Sequence, residues 1–128
     1  MGTLATLIGA PALRGAEIGL CDIDGETLET MQRLALRMNE EWDAQMTIRA
    51  STQRRELLRD ADFVIVSIQV GPREVVWRKD WEIPLRHGVR QPYAENSGPG
   101  GFAHTCRNVP EMLAIARDME ELCPQAWM

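Results

Sequence analysis

The 128-residue sequence is short of basic residues and of long apolar runs, and each shortage excludes a class of protein. Its 14 Lys and Arg face 19 Asp and Glu, which gives a formal net charge of −5 and a pI near 5.0. No basic field is therefore available to hold a phosphodiester backbone. No apolar window is long enough to span a bilayer, and the N-terminus lacks an export signal. We expect neither nucleic acid nor membrane as a partner.

Cysteine is also scarce, and Cys21, Cys106 and Cys123 form neither a disulfide framework nor a zinc-binding pair. An odd number of widely spaced thiols is typical of a protein kept reduced in the cytoplasm. The length and the apolar content of 45% are sufficient for one globular core. We therefore predict a cytoplasmic protein with a single domain over residues 1–128.

Three short apolar stretches predict β-strands. The strongest lies within residues 62–71, because five of the six positions from 63 to 68 are apolar, without polar alternation. Such a strand is expected to be covered on both faces, as in a parallel sheet. The other two are residues 16–22, a short buried strand bounded by turn residues, and residues 46–51, which give a weaker signal.

Helices are predicted between and after these strands. The clearest carries an apolar stripe at three- and four-residue steps, made of Leu28, Met31, Ala35, Met38 and Trp42. A short helix is expected over residues 52–61, with Thr52 as its N-cap. A long one is expected over residues 109–122, and residues 4–8 are interpreted as the end of a helix. Residues 72–101 show no clear period and are interpreted as a long polar and aromatic loop.

The alternation of strands and helices predicts right-handed β-α-β units. The fold class is therefore α/β, a Rossmann-like three-layer fold with a mainly parallel sheet.

Two acids, Asp22 and Asp24, stand between the first of these strands and the amphipathic helix. In a dinucleotide-binding sheet, the carboxylate at the end of the second strand accepts hydrogen bonds from the ribose hydroxyls, and Asp22 occupies that position. Asp24 is better placed as the helix N-cap. The alternative is that both acids only cap and solubilise the turn. The dinucleotide fingerprint also requires an upstream strand and a glycine-rich turn, and IGAPALRG does not fit G-x-G-x-x-G.

Two further segments are candidates for ligand contact. Gln69 follows the carboxyl end of the strongest strand, where open α/β sheets bind ligands. Residues 93–104 hold three glycines and a proline ahead of a helix, so their backbone can approach an anion or a sugar oxygen, and Glu95 is the nearest acid. The alternatives are an ordinary polar edge residue and a flexible helix entry. His104 and Cys106 are two positions apart, point to different sides of a helix and are not expected to share a metal ion.

The order of these segments closely resembles the N-terminal half of the family 4 glycoside hydrolases, the NAD- and divalent-metal-dependent glycosidases. The likeness covers almost the whole chain. It rests on EIGLCDID, ADFVIVSIQVG, EIPLRHGVRQPYAENSGPGG and NVPEMLAIARDMEELCPQAWM. The passage from EIP to GPGG is the most specific of these.

The resemblance implies a function in carbohydrate metabolism. In that family, NAD transiently oxidises the sugar at C3, which acidifies the C2 proton, and the glycosidic oxygen then leaves by elimination. A metal, usually manganese, polarises the sugar oxygens. The resemblance assigns cofactor binding to Asp22 and Gln69, and substrate binding to Glu95 and Asn96. It implies NAD and Mn as cofactors, a sugar glycoside as substrate and a homo-oligomeric enzyme.

The sequence departs from the family pattern in three places. The family opens with a first strand and a glycine-rich phosphate loop, which are missing here, and its metal ligands and catalytic base are expected beyond Met128. We therefore assign no catalytic or metal-binding residue and expect residues 1–128 to be inactive by themselves. Arg78 is displaced by one residue from the arginine of phospho-sugar members, which favours unphosphorylated α-glycosides. The alternative is a non-catalytic interaction or nucleotide-binding module that self-associates through an open sheet edge.

Overall fold

The computed structural model describes residues 2–91 and 97–128. The chain divides into two compact units, Met1–Ala61 and Asp62–Met128, each with its own helices. The single domain expected over residues 1–128 stays a prediction. Across the described ranges, no helix has both the length and the hydropathy that a membrane span requires.

The first unit is built around two parallel strands. Its elements, in chain order, are α1 (Gly2–Ile8), a 3-10 turn (Pro11–Leu13), β1 (Glu17–Cys21), α2 (Gly25–Glu41), β2 (Thr47–Ser51) and α3 (Arg54–Leu58). β1 pairs with β2 in a register that places Glu17 opposite Thr47 and Cys21 opposite Ser51. Parallel neighbours need a crossover connection, which α2 provides. The α/β class and the parallel pairing expected from the sequence are confirmed.

Helices cover both faces of this two-stranded sheet. The buried core consists of Leu4, Ile8, Ala35, Ala44 and Met46, with Ile18, Leu20, Met31, Met38 and Ile48 packed against it. These side chains come from α1, α2, the turn that follows α2 and one face of the sheet. On the other face, a Cβ atom on Gly19 would lie 3.3 Å from Cβ of Leu57 in α3. The unit is therefore three layers thick.

Two details of the first unit differ from expectation. β1 is only half-buried, because its residues alternate between partly covered and exposed. The helix α3 begins at Arg54 with Gln53 as its N-cap, so the assignment of Thr52 as N-cap is wrong. The reason is that Ser51, one residue earlier, already supplies a side-chain oxygen to this turn, and its Oγ accepts a hydrogen bond from the Gln53 amide at 2.9 Å.

Asn39 fixes the turn that leads from α2 into β2. Its Nδ2 donates to the Met46 carbonyl and its Oδ1 accepts from the Met46 amide, both at 2.9 Å. Asp43 and Gln45 in this turn adopt positive φ angles of 49° and 58°. The two bonds from one side chain offset the strain of this backbone and set where β2 begins.

The second unit contains α4 (Arg73–Arg86) and α5 (Gly98–Leu122). The strongest strand predicted from the sequence, within residues 62–71, is not a strand in the structure. In the ranges described, its backbone forms one isolated bridge, between Phe63 and Trp127. A strand requires successive pairs, whereas here the Val64 amide donates to the Trp127 carbonyl at 2.7 Å and no ladder follows. Phe63 and Ile65 are 75% and 62% exposed, so the expected cover on both faces is also wrong.

The loop expected over residues 72–101 is largely helical. α4 occupies fourteen residues of it, and its mixture of tryptophans, charged residues and Pro84 hides a helical period. Pro84 has no amide hydrogen to donate to the Asp80 carbonyl, and that oxygen accepts instead from Nε2 of Gln91 at 3.4 Å. Gly98, Gly100 and Gly101, which were expected to precede the final helix, form its first turn. Pro99 is compatible with this turn because the first residues of a helix have no acceptor for their amide hydrogens.

Replacement of Ile8 by alanine is expected to destabilise the protein by about 3 kcal/mol. Ile8 is 2% exposed in the first core, and the truncation would leave a cavity there. Urea unfolding followed by circular dichroism measures the loss. Ile23→Ala is the matched control, because Ile23 is 95% exposed and its truncation should change stability by less than about 0.5 kcal/mol. Equal effects of the two substitutions would contradict this placement of the core.

Candidate functional site

Asp22 lies immediately after β1, at the carboxyl end of the parallel pair. Its side chain is exposed, and its Oδ1 accepts a hydrogen bond from the Asp24 amide at 2.9 Å. This bond fixes one oxygen of the carboxylate close to the backbone of the turn. Among the described residues, no hydrogen bond occupies Oδ2. The geometry therefore leaves an acceptor oxygen available to a ligand at this edge of the sheet.

Asp24 has a different role, and its prediction as the N-cap of α2 is confirmed. Its carboxylate accepts hydrogen bonds from the Glu26 amide at 3.0 Å, the Thr27 amide at 3.2 Å and the Thr27 hydroxyl at 2.8 Å. These bonds, that of the Thr27 side chain foremost, lower the pKa of Asp24 below its ordinary value of 3.8. Asp24 is thus committed to the helix, whereas Asp22 is not.

The edge beside Asp22 is bounded by the turn after β2. Ser51 pairs with Cys21 across the sheet, and its hydroxyl hydrogen-bonds the Glu56 carboxylate at 2.6 Å. Burial, followed by the nearby Asp22 charge, raises the pKa of the Cys21 thiol above 9.0, and Arg54 partly opposes this shift. The thiol is therefore held in its neutral form beside the carboxylate.

Gln69 lies in the second unit, near the end of residues 62–71. It precedes a turn at Gly71, which has a φ of +81°. The Gln69 Oε1 accepts a hydrogen bond from the indole Nε1 of Trp77, at 3.2 Å. The next residue, Val70, donates its amide hydrogen to Oδ1 of Asn108, also at 3.2 Å. Both helices of this unit therefore hold the segment that carries Gln69.

Glu95 and Asn96, the substrate-binding candidates, lie outside the described residues. The Gln91 side chain, which is 8% exposed, connects the residues on the two sides of this segment by hydrogen bonds. Its Oε1 accepts from the Gly100 amide at 3.3 Å, and its Nε2 donates to the Asp80 carbonyl at 3.4 Å. Gly98 has a φ of +69°, which strains any residue with a side chain, and a Cβ atom there would also lie 2.8 Å from Gln91 Oε1.

An ion pair between Asp80 and Arg107 links α4 to α5 behind Gln91. Asp80 is 5% exposed, and both of its carboxylate oxygens meet the Arg107 guanidinium, one of them at 2.9 Å. The hydrogen bonds that Arg107 donates to Asp80 raise the pKa of Arg107, so the guanidinium stays charged. Sequence reasoning missed these two residues together with Gln91 and Asn108. Polar residues in weakly periodic segments carry no signal of burial, and only the facing helix supplies their partners.

No metal centre emerges from the ranges 2–91 and 97–128, where no group of three or more His, Cys, Asp or Glu residues could hold an ion. His104 and Cys106 both lie on α5.

A cavity of about 270 Å³ is lined by the end of α1 and the turn after α2, including Pro11 and Trp42. These segments precede β1 and β2, so the cavity is at the opposite end of the strands from Asp22.

A family model described as "Family 4 glycosyl hydrolase" matches residues 3–128. The chain belongs to this family. An α-glucosidase of Erwinia rhapontici is 42% identical over 127 residues, which are 99% of this chain and 28% of that protein. An α-galactosidase of Bacillus subtilis is 38% identical over 116 residues, or 91% of this chain and 27% of the relative.

A solved structure of a family 4 homologue shares the fold. It is a 6-phospho-α-glucosidase from gut microorganisms in complex with NAD and Mn²⁺. The TM-score is 0.81 and the identity is 24%, over 98% of this chain and 28% of that one. The Rossmann-like α/β class is thereby confirmed. The 128 residues span just over a quarter of the length of these three proteins. The resemblance found in the sequence had indicated the N-terminal half of a family member.

Replacement of Asp24 by alanine is expected to lower the urea midpoint of unfolding at neutral pH, because the first-turn amides of α2 lose their acceptor. The folded-state pKa is lowered, so the stabilisation is present above pH 3.8 and is lost as the pH falls through the folded-state value. Urea titrations at a series of pH values measure the difference from the original protein. Glu29→Ala, on the exposed face of α2, is the control. A midpoint difference that persists unchanged in strong acid would contradict this role.

Proposed function

We propose that this chain supplies the ribose-binding edge of an NAD-dependent O-glycosidase. The observation that carries the proposal is the position of Asp22, which follows β1 directly and whose Oδ2 makes no hydrogen bond to a described residue. A vicinal ribose diol presents two hydroxyl donors to such a carboxylate. Family 4 membership, and the NAD found in the related 6-phospho-α-glucosidase structure, support the same cofactor.

In this proposal each candidate residue has a defined task. When bound, NAD would accept a hydride from the sugar, the redox step that makes elimination possible. Asp22 would orient the adenosine ribose through its free oxygen. Gln69 would contact the cofactor through its carboxamide, and Glu95 and Asn96 would bind the sugar. The acidic Asp22 would also repel a 2′-phosphate, so NAD is preferred over NADP.

Manganese is proposed as the second cofactor, by membership of the family and by the Mn²⁺ in the related structure. The described residues do not supply a ligand set for it, so no step through the metal is assigned to this chain.

For the substrate, we propose an unphosphorylated α-glycoside. The α-glucosidase is 42% identical to this chain, but a probable 6-phospho-β-glucosidase of Bacillus subtilis is also 42% identical, so identity does not separate the two substrate classes. The choice rests on Arg78, which is displaced by one residue from the arginine of phospho-sugar members. We further propose a cytoplasmic protein, since its three cysteines are free thiols. Membership of the family is the basis on which we propose that it is homo-oligomeric.

Residues 1–128 by themselves are expected not to hydrolyse aryl glycosides. A colorimetric assay with nitrophenyl α-glucoside and α-galactoside, in the presence of NAD⁺ and Mn²⁺, measures this directly. Turnover that depends on both additions would overturn the expectation.

Asp22→Asn is expected to weaken NAD⁺ binding by about tenfold, because a neutral amide is a poorer acceptor for the ribose diol than a carboxylate. It should also narrow the preference for NAD⁺ over NADP⁺, since the charge that repels the 2′-phosphate is lost. Calorimetry or ligand-observed NMR measures both.

Asp43→Asn is the matched control for this substitution. Asp43 carries the same charge but pairs with Arg14 in the turn that precedes β2, at the other end of the strands. NAD⁺ affinity that is unchanged in Asp22→Asn would refute the assignment of Asp22.

A second candidate function is self-association through an open sheet edge. Residues 62–71, in the second unit, favour it. Its apolar side chains Phe63 and Ile65 are exposed, and its backbone makes a single bridge within the parts of the chain that the structure describes. An extended backbone with unpaired amides is a template for a strand of another molecule.

Ile65→Lys is expected to weaken such dimerisation by roughly tenfold, because a charge on the edge opposes strand pairing. Sedimentation velocity over a range of protein concentrations measures the effect. Ile23→Lys adds the same charge to an exposed position in the first unit and should leave dimerisation unchanged. A protein that remains monomeric at high concentration would exclude this second candidate.

A further inference from the structure

The turn that carries Gln69 is held from two sides within the second unit. From α4, the Trp77 indole donates a hydrogen bond to Oε1 of Gln69, at 3.2 Å. From α5, Oδ1 of Asn108 accepts the Val70 amide hydrogen, and Nδ2 of Asn108 donates to the His104 carbonyl at 2.9 Å. Asn108 is only 7% exposed, so it has few alternative arrangements.

The contact with Trp77 determines which way the Gln69 carboxamide faces. The two ends of a glutamine amide have nearly the same shape, and their orientation follows from their partners. An indole nitrogen can only donate a hydrogen bond, so the atom that faces it must be the oxygen. The amide nitrogen therefore points away from Trp77.

Within the part of the chain that the structure describes, one hydrogen of this nitrogen has no hydrogen-bond partner. Nε2 of Gln69 makes a 3.3 Å bond to the Val70 carbonyl, which uses one of its two hydrogens. The acceptor oxygen of the same amide is already directed at the indole. Gln69 can therefore offer a ligand a donor more readily than an acceptor.

Trp77 is itself held in place by its neighbours. The guanidinium of Arg73 lies 4.1 Å from the centre of its ring, a distance that allows cation–π attraction. The backbone turns at Gly71, where a Cβ atom would lie 3.2 Å from Cγ1 of Val76 in α4. The turn and the first residues of α4 are thus packed closely enough to preserve the bond between Trp77 and Gln69.

We propose that Trp77 is a positioning residue that fixes the Gln69 amide so that an N–H group meets the bound dinucleotide, and that Gln69 thereby selects an acceptor oxygen of the cofactor. This inference rests on the proposed NAD-binding function. Trp77 contacts Gln69 and acts through it.

The first test needs no ligand. In ¹H–¹⁵N spectra of the 128-residue protein, the indole signal of Trp77, assigned with Trp77→Phe, reports its hydrogen bond. Gln69→Leu should shift this signal upfield and accelerate its exchange with water, because the acceptor is lost. Gln69→Glu should preserve the bond, because a carboxylate accepts as well as an amide oxygen. The Trp81 indole, on the same helix, is the internal control and should not move.

The second test uses NAD⁺ as the probe. Gln69→Glu should weaken NAD⁺ binding by about tenfold, although Trp77 remains bonded, because a carboxylate has no hydrogen to donate. Trp77→Phe should weaken it by about threefold, because the amide is then free to turn over. Trp81→Phe should bind as the original protein does. Circular dichroism confirms that each variant is folded.

The outcomes separate this inference from the function on which it rests. Unchanged NAD⁺ affinity in either Gln69→Glu or Trp77→Phe would overturn the positioning role, as would an indole signal of Trp77 that is insensitive to Gln69→Leu. If the original protein shows no response to NAD⁺, the proposed cofactor is wrong, and so is the presentation of Gln69 to it. The ligand-free spectra then show whether the bond from Trp77 exists independently of that failure.

Discussion

The parallel pairing of β1 with β2 is the constraint on which the position of Asp22 depends. Cys21 lies opposite Ser51, so both strands end at the same level and Asp22 emerges directly beyond them. The register is held by the core beneath it, where Ile18 and Leu20 pack against residues of α1 and α2. A slip by one residue would turn these two side chains away from the core. The burial of Ile18 and Leu20 therefore determines the position of the Asp22 carboxylate, although Asp22 itself is exposed.

Two acids separated by one residue perform different tasks because the helix needs only one of them. Asp24 accepts hydrogen bonds from the Thr27 hydroxyl and from the first-turn amides of α2, and these bonds lower its pKa. Asp22 accepts the Asp24 amide hydrogen with one oxygen, and its other oxygen makes no hydrogen bond to a residue in the described ranges. The turn that holds the cap of α2 therefore also orients the neighbouring Asp22 carboxylate.

In the second unit, buried polar side chains fix the position of the neighbouring backbone. Asp80, Gln91 and Asn108 are each at most 8% exposed, and their hydrogen bonds join α4, α5 and the segments beside them. A buried polar group without a partner would cost about 1–3 kcal/mol, so such a network tolerates few alternative arrangements. It holds the Gln69 turn as well as the positions flanking residues 92–96.

The amino-acid sequence by itself determined the features that depend on near neighbours: the stripe of α2, its cap at Asp24, the two strands that flank it and the motif order that indicated the family. Only the tertiary structure decided the rest. Residues 63–68 have the composition of a strand, yet a strand exists only where a second backbone pairs with it, and here Trp127 provides one bridge. The orientation of Gln69 likewise depends on Trp77 and on Asn108, which is 38 residues beyond Val70. Local periodicity encodes which residues are apolar, whereas hydrogen-bond partners distant in sequence become known only when the chain has folded.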